Sequence, residues 1–295
     1  MFSRRHPYLF FLLTFTTVIA TAITLTTMMV TFATGRNDAI SGQKVGVVEL
    51  FGTIVDAKKI TGQLKAFREN DHIRAIVLRI DSPGGGVGPS QEIYREILKT
   101  RKAKKVVASL GSVAASGGYY AAAGTELIVA NPGTITGSIG VIMGFTDLSE
   151  VMKKIGLSPV VIKSGQFKDM GSPARAMSEK ERGILQEFVD KIHHQFVADV
   201  AKGRGMEEDT LAKLADGRIY TGEEAVALGL VDRMGNLEDA IEIAGRLGGI
   251  EGEIFTVYPP EQRISLVRQL MDASVSELSR AIRSATSLQA AYRID

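Results

Sequence analysis

Three glycine-rich segments hold the residues best suited to chemistry. The first is Asp81-Ser-Pro-Gly-Gly-Gly86. Pro83 fixes its entry, and Gly84, Gly85 and Gly86 let backbone N–H groups point outward without side-chain obstruction. Such a nest can hold an anion or the oxyanion of an acyl transfer; a plain tight turn needs the same residues. It is not a P-loop, because no Gly-Lys-Ser/Thr follows. The second is Ser112-Val-Ala-Ala-Ser-Gly-Gly-Tyr-Tyr120. It places Ser116 where a β-branched run gives way to an Ala-rich stretch, with its hydroxyl at the start of a helix that favours negative charge. Ser116 there is either a nucleophile or an ordinary helix cap. It is not the elbow G-x-S-x-G, since Ala114 stands at the first glycine position.

A serine nucleophile needs a base. The four histidines are His6, His72, His193 and His194, and none stands in a glycine-rich loop. A Ser-His-Asp triad and a His-based metal site are therefore poorly supported, and no cofactor is expected. Lysine is the alternative, but near its ordinary pKa it is neutral only about 0.04% of the time at pH 7, so desolvation must act on it. The candidate is Lys168, in Lys163-Ser-Gly-Gln-Phe-Lys-Asp-Met-Gly-Ser-Pro173, with Phe167 and Met170 beside it to exclude water. A lysine in a loop is also, simply, a solvated charge. The third segment, Asn131-Pro-Gly-Thr-Ile-Thr-Gly-Ser-Ile-Gly140, offers Ser138, either a hydrogen-bond partner that orients a neutral lysine or a turn residue.

These loops need elements to hold them. β-Branched runs at residues 45–50, 75–80, 105–109, 126–129 and 159–162 read as strands, with little polar alternation, as in strands covered on both faces. Helical patterns lie between them. Residues 91–101 place Ile93, Ile97 and Leu98 on one face. Residues 147–155 open on Asp147-x-x-Glu150, which resembles a capping box. Residues 178–202 open on Ser178-x-x-Glu181 and carry the apolar stripe Leu185, Phe188, Val189, Ile192, Phe196 and Val200. Further helices are expected at 222–228 and 237–247 and a strand at 253–258, followed by a helix-compatible tail at 261–295. Strands alternating with helices predict an α/β layered domain.

The 295 residues include 35 basic and 33 acidic side chains, a formal net charge of +2. Two of the basic residues, Arg4 and Arg5, precede the first apolar run, so the body is close to neutral and nucleic acid is not an expected partner. Cysteine is absent, which excludes disulfides, thiolate catalysis and a lipidated N-terminal cysteine. Residues 7–34 contain no charge. As a helix they would span about 42 Å, against a hydrocarbon core of about 30 Å. The positive-inside rule keeps Arg4 and Arg5 cytoplasmic and sends the rest across the membrane. A cleaved signal peptide ending near Ala20-Thr-Ala22 is the competing reading, although the apolar run continues past it.

Taken in order, Asp-Ser-Pro-Gly-Gly-Gly, Ala-Ala-Ser-Gly-Gly-Tyr-Tyr, Thr-Gly-Ser-Ile-Gly-Val and Ser-Gly-x-x-Lys-Asp-x-Gly-Ser-Pro resemble the signal peptide peptidase A family, in its short, single-repeat form. The likeness runs from about Val45 to Gly235. It implies a crotonase/Clp-protease-like α/β fold behind an N-terminal transmembrane helix. It also implies Ser116 as nucleophile, Lys168 as general base, Ser138 positioning the lysine, and N–H groups around Gly84, Gly85 and Gly117 stabilising the oxyanion. The implied substrates are remnant signal peptides and other hydrophobic peptides at the bilayer. The implied assembly is a homo-oligomeric ring whose neighbouring protomers help complete each site.

The domains expected are a cytoplasmic tip and anchor at 1–35, an extracytoplasmic peptidase domain at 36–255, and a tail at 256–295. The place expected is the cytoplasmic membrane, with catalysis on the outer side. Two other readings stay open: a crotonase-like acyl-CoA enzyme, which would not need Ser116, and a membrane-anchored scaffold without activity.

Overall fold

The computed structural model describes residues 6–35 and 43–260. Helix α1 (Pro7–Gly35) has 29 residues, about 43 Å at 1.5 Å each. Its stretch Tyr8–Met29 is long and apolar enough to cross a membrane. The threonines that dilute its hydropathy turn their hydroxyls back on the helix: Thr17 donates to the Leu13 carbonyl at 2.7 Å and Thr21 to the Thr17 carbonyl at 2.7 Å. That satisfies groups that hydrocarbon could not.

The body alternates strand and helix: β1 (Lys44–Phe51), α2 (Lys58–Glu69), β2 (Ile73–Ser82), α3 (Val87–Arg101), β3 (Lys105–Ala115), α4 (Gly117–Ala123), β4 (Leu127–Ala130) and β5 (Ile135–Gly137). Then come α5 (Ser149–Lys154), α6 (Glu179–Arg204), α7 (Glu208–Ala212), β6 (Ile219–Thr221), α8 (Gly222–Ala227), β7 (Arg233–Met234), α9 (Leu237–Leu247) and β8 (Phe255–Val257). The sheet runs β8-β1-β2-β3, and the far side of β3 is shared. Its first half pairs with β4 and its second half with β5, so the strand passes from one neighbour to the next. All these pairings are parallel except β5 with β6.

Parallel strands must be covered on both faces, and the residues alternate accordingly. Val45, Val47, Ala75 and Val77 pack with Ala240, Ile241 and Ala244 of α9. Val48, Leu50, Ile76, Leu78 and Ile80 turn the other way, into the larger core with α2, α3, α4 and α6. Each such aliphatic side chain contributes about 1.5–3 kcal/mol on full burial.

Three expectations need correction. Residues 159–162 form no strand: Val160 is 86% and Ile162 97% exposed, and a β-branched run without a neighbouring ladder has nothing to pair with. Asp147 makes no capping box; its carboxylate accepts the Ser149 N–H two residues on, at 2.9 Å, and the helix starts later. The stripe on α6 is buried only in its second half, at Phe196 and Val200, while Phe188 faces solvent. The box at Ser178 and Glu181 does form, with both hydrogen bonds in place. Helix α2 and the short strands β5 and β6 were not anticipated, and the tail at 261–295 lies outside the described residues.

Candidate active site

The glycine-rich loops gather at the carboxyl ends of β2, β3 and β5, where parallel sheets place their ligands. Ala115 at the end of β3 is in register with Gly137 at the end of β5, and Ala114 with Ser82 at the end of β2. Asp81 holds this corner. Its carboxylate accepts the N–H groups of Ser112 and Val113 at 3.3 and 3.2 Å, where the β2–β3 register slips.

Ser116 follows immediately as the N-cap of α4, with φ 51° and ψ −118°. Among the described residues only two that are not glycine have positive φ, Ser116 and Ser138. A side chain in this region costs about 1–3 kcal/mol and persists only where its surroundings impose it. Here they do. The Ser116 N–H donates to the Gly137 carbonyl at 2.9 Å, and the Ser138 N–H donates to the Arg218 carbonyl at 2.8 Å. Ser116 makes no side-chain capping bond, so its hydroxyl is not spent on the helix.

The Asp81–Gly86 loop crosses against this turn. Gly84 has φ 99°, and a Cβ there would lie 2.8 Å from the Ser116 Cβ and 2.7 Å from the Gly117 nitrogen. Gly117 is as confined, since its Cβ would meet the Ser90 Oγ at 2.4 Å. The loop is pinned from outside by Ile54, which donates to the Gly84 carbonyl at 2.9 Å and accepts from Gly86 at 2.8 Å. The Gly84 N–H is already used, donating to Ser82 Oγ at 3.1 Å. Among the described residues no acceptor faces the N–H of Gly85 or of Gly117. The free donor pair is therefore Gly85 and Gly117, and Gly84 supplies the close approach.

A cleft of about 110 Å³ opens beside Ser116, walled by Val87, Tyr120, Ile142, Ile192 and Phe196. Tyr120 stacks on Phe196 at 4.4 Å between centroids and donates from its hydroxyl to Asp199 at 2.5 Å. Burial, and next that bond to Asp199, push the Tyr120 phenol well above its ordinary pKa, so it is a neutral wall. No residue outside the glycine-rich motifs signals this wall in the sequence except the α6 stripe, which reads equally well as core.

Lys168 lies elsewhere in the single chain. It is exposed, in a run of turns at 164–175, and is not among the residues lining the Ser116 cleft. No hydrogen bond or ion pair engages its Nζ among the described residues. Its neighbours are held: Asp169 takes Lys163 and Arg175, and Phe167 lies 5.3 Å beneath the Lys180 Nζ. Among the described residues no histidine lines the cleft, and His193 Nε2 is paired with the Ala215 carbonyl at 2.8 Å.

Two family models match the chain: Peptidase family S49 over residues 99–251 and Clp protease over residues 47–134. A Synechocystis protein, slr0021, named as a presumed protease, is 43% identical over 230 residues, covering 77% of this chain and 83% of its own length. An Enterococcus faecium protein named as a presumed signal peptide peptidase SppA is 44% identical over 181 residues, covering 61% of this chain and 53% of its own length. Among solved structures, a mutant of the 1510-N membrane-bound stomatin-specific protease superposes with a TM-score of 0.51 at 18% identity, over 76% of this chain and 100% of that one, which speaks to the fold alone. With an S49 match across more than half its length, on a Clp-protease-like α/β domain with an apolar N-terminal helix, the chain belongs to peptidase family S49 and is a serine peptidase of the SppA type.

Proposed function

We propose that the chain is a membrane-anchored endopeptidase that degrades remnant signal peptides and other apolar peptides, with Ser116 as nucleophile and Lys168 as general base. The observation that carries this reading is the strained Ser116 backbone, held at φ 51° beside two N–H groups that have no acceptor among the described residues. The neutral amine of Lys168 takes the Ser116 proton as the oxygen attacks the peptide carbonyl carbon. The carbonyl electron pair moves onto oxygen and rests on the N–H groups of Gly85 and Gly117. When the oxyanion collapses, the C–N bond breaks, and the lysine returns its proton to the leaving amine. Water, deprotonated by the same lysine, then cleaves the acyl-enzyme ester. Ser138 is the hydroxyl proposed to orient the amine.

Helix α1 is proposed as a retained anchor, with residues 36–255 on the extracytoplasmic side of the cytoplasmic membrane. The chain is proposed to work as a homo-oligomeric ring in which a neighbouring copy helps complete each site. What supports assembly is the exposure of large aliphatic side chains, Ile142, Val160 and Ile162, at 98%, 86% and 97%. The position of Lys168 outside the Ser116 cleft points the same way.

The test uses the full chain in detergent with a signal-peptide-like apolar peptide and mass detection of the fragments. Internal cleavage that Ser116→Ala abolishes is expected. Cleavage unaffected by Ser116→Ala, or turnover of an acyl-CoA thioester with no peptide cleavage, would overturn the reading.

A further inference from the structure

Both chain neighbours of Lys168 are fastened to one place, the first turn of α6. The Arg175 guanidinium lies between two carboxylates. Toward Asp169 it donates from Nε and Nη2, each at 2.9 Å, one to each carboxylate oxygen. Toward Glu181 it donates from Nη1 at 2.9 Å and from Nη2 at 2.5 Å. Glu181 is itself fixed, because it is 3% exposed, stands in the first turn of α6 and accepts the N–H and hydroxyl of Ser178, each at 2.9 Å. On the other side of Lys168, the Phe167 ring is held by Lys180, also in that turn.

Outside α6 the surrounding segment is tied through its far end, where the Leu148 N–H donates to the Pro173 carbonyl at 2.8 Å. Around Lys168, residues 157–178 form only turns and irregular backbone, with local hydrogen bonds such as Lys168 N–H to the Gly165 carbonyl at 3.1 Å. A guanidinium suits the task because its planar fork meets two carboxylates in fixed directions, which a single ammonium cannot do. The result is a lysine whose backbone is clamped on both sides while its own amine is free of partners among the described residues.

We propose that Arg175 is a positioning residue for the reaction: forked between Asp169 and Glu181, it sets where Lys168 stands relative to the site it serves. The proposal rests on the reading of Lys168 as general base. Arg175 touches no reacting atom, so its loss misplaces the base without removing it. A misplacement of about 1 Å remote from the chemistry costs up to about a hundredfold in rate.

The experiment measures kcat, KM and thermal midpoint for the full chain with Arg175→Ala, Arg175→Lys and Lys168→Ala on one apolar peptide. Expected for Arg175→Ala is a kcat lower by about 10- to 100-fold with KM close to the parent's. Arg175→Lys, which keeps charge but not the fork, should recover part of that loss. If Arg175→Ala does not fold, Phe167→Leu removes only the second tie and should lower kcat by a smaller factor at unchanged KM. In a double-mutant cycle, Asp169→Asn should add little to Arg175→Lys, because both weaken one clamp. Unchanged kcat in folded Arg175→Ala, or in Arg175→Lys where Arg175→Ala does not fold, beside a dead Lys168→Ala would overturn the positioning role and leave the base intact. Full activity in Lys168→Ala would overturn the reading beneath it.

Discussion

The Ser116 N–H donates to the Gly137 carbonyl at 2.9 Å, which ties Ser116 to the residue before Ser138; among the described residues these two serines are the non-glycine positions at positive φ. Gly137 precedes Ser138 and closes β5, so the end of one strand holds the turn that follows another. The backbone of Ser116, the proposed nucleophile, is thus held by a neighbouring strand as well as by its own helix, whose Tyr120 N–H donates to the Ser116 carbonyl at 2.8 Å.

Ser116→Gly should be inactive and more stable. Relief of the positive-φ strain returns about 1–3 kcal/mol. The greater freedom of glycine in the unfolded chain takes back about 0.5–1 kcal/mol. The net gain of about 1 kcal/mol would raise the thermal midpoint by about 2–4 °C. A lower midpoint would show that the surroundings do not strain Ser116.

Gly84→Ala should cripple catalysis although Gly84 donates nothing to the substrate. A Cβ at that position lies within 2.8 Å of both the Ser116 Cβ and the Gly117 nitrogen, and φ 99° already disfavours it. If the Gly117 N–H is the oxyanion donor proposed above, displacing it costs about a hundredfold or more in kcat. Steady-state kinetics on the folded variant check this, and a kcat within about twofold of the parent's would contradict it.

Cleavage should favour small and aliphatic side chains next to the scissile bond. The cleft of about 110 Å³ is smaller than the roughly 150 Å³ cavity that accepts a benzene ring. Ile192 lines one wall and is only partly buried, so Ile192→Ala widens the cleft at modest cost to the fold. Peptide-library profiling should then show phenylalanine accepted. An unchanged profile would place the specificity pocket elsewhere.

The clamp around Arg175 should fail in acid. Hydrogen bonds from Arg175, and then the Ser178 N–H, hold the Glu181 carboxyl down at about 2, from an ordinary 4.5. Asp169 is held lower than its ordinary value by Arg175 and Lys163. A pKa depressed by folding stabilises fully above the ordinary value and is lost as pH falls through the folded one. Thermal midpoints should therefore drop between about pH 4.5 and 2, and Glu181→Gln should flatten that drop. An identical pH dependence in the two proteins would contradict it.

The residues themselves explain how much could be read in advance. β1, β2 and β3 were legible because Val, Ile and Leu continue through them without polar breaks, and Ser116 because glycines follow such a run. The cleft walls were not: Ile192 and Phe196 lie far along the chain, and helical spacing marks them only as apolar. Glu181 was legible as a cap, but its bond to Arg175 requires the loop at 164–175 to fold back on α6, which no local spacing encodes. Residues 159–162 misled because β-branched composition marks a strand only when a partner is at hand.

The most direct test of the dyad is the rate at which full-length Lys168→Ala cleaves an apolar peptide, measured beside the parent and Ser116→Ala under identical detergent conditions. The account predicts no cleavage by Ser116→Ala and a kcat at least about a hundredfold below the parent's in folded Lys168→Ala, the scale of a lost general base. A Lys168→Ala enzyme within a few-fold of the parent, beside a dead Ser116→Ala, would contradict it and place the base on another side chain.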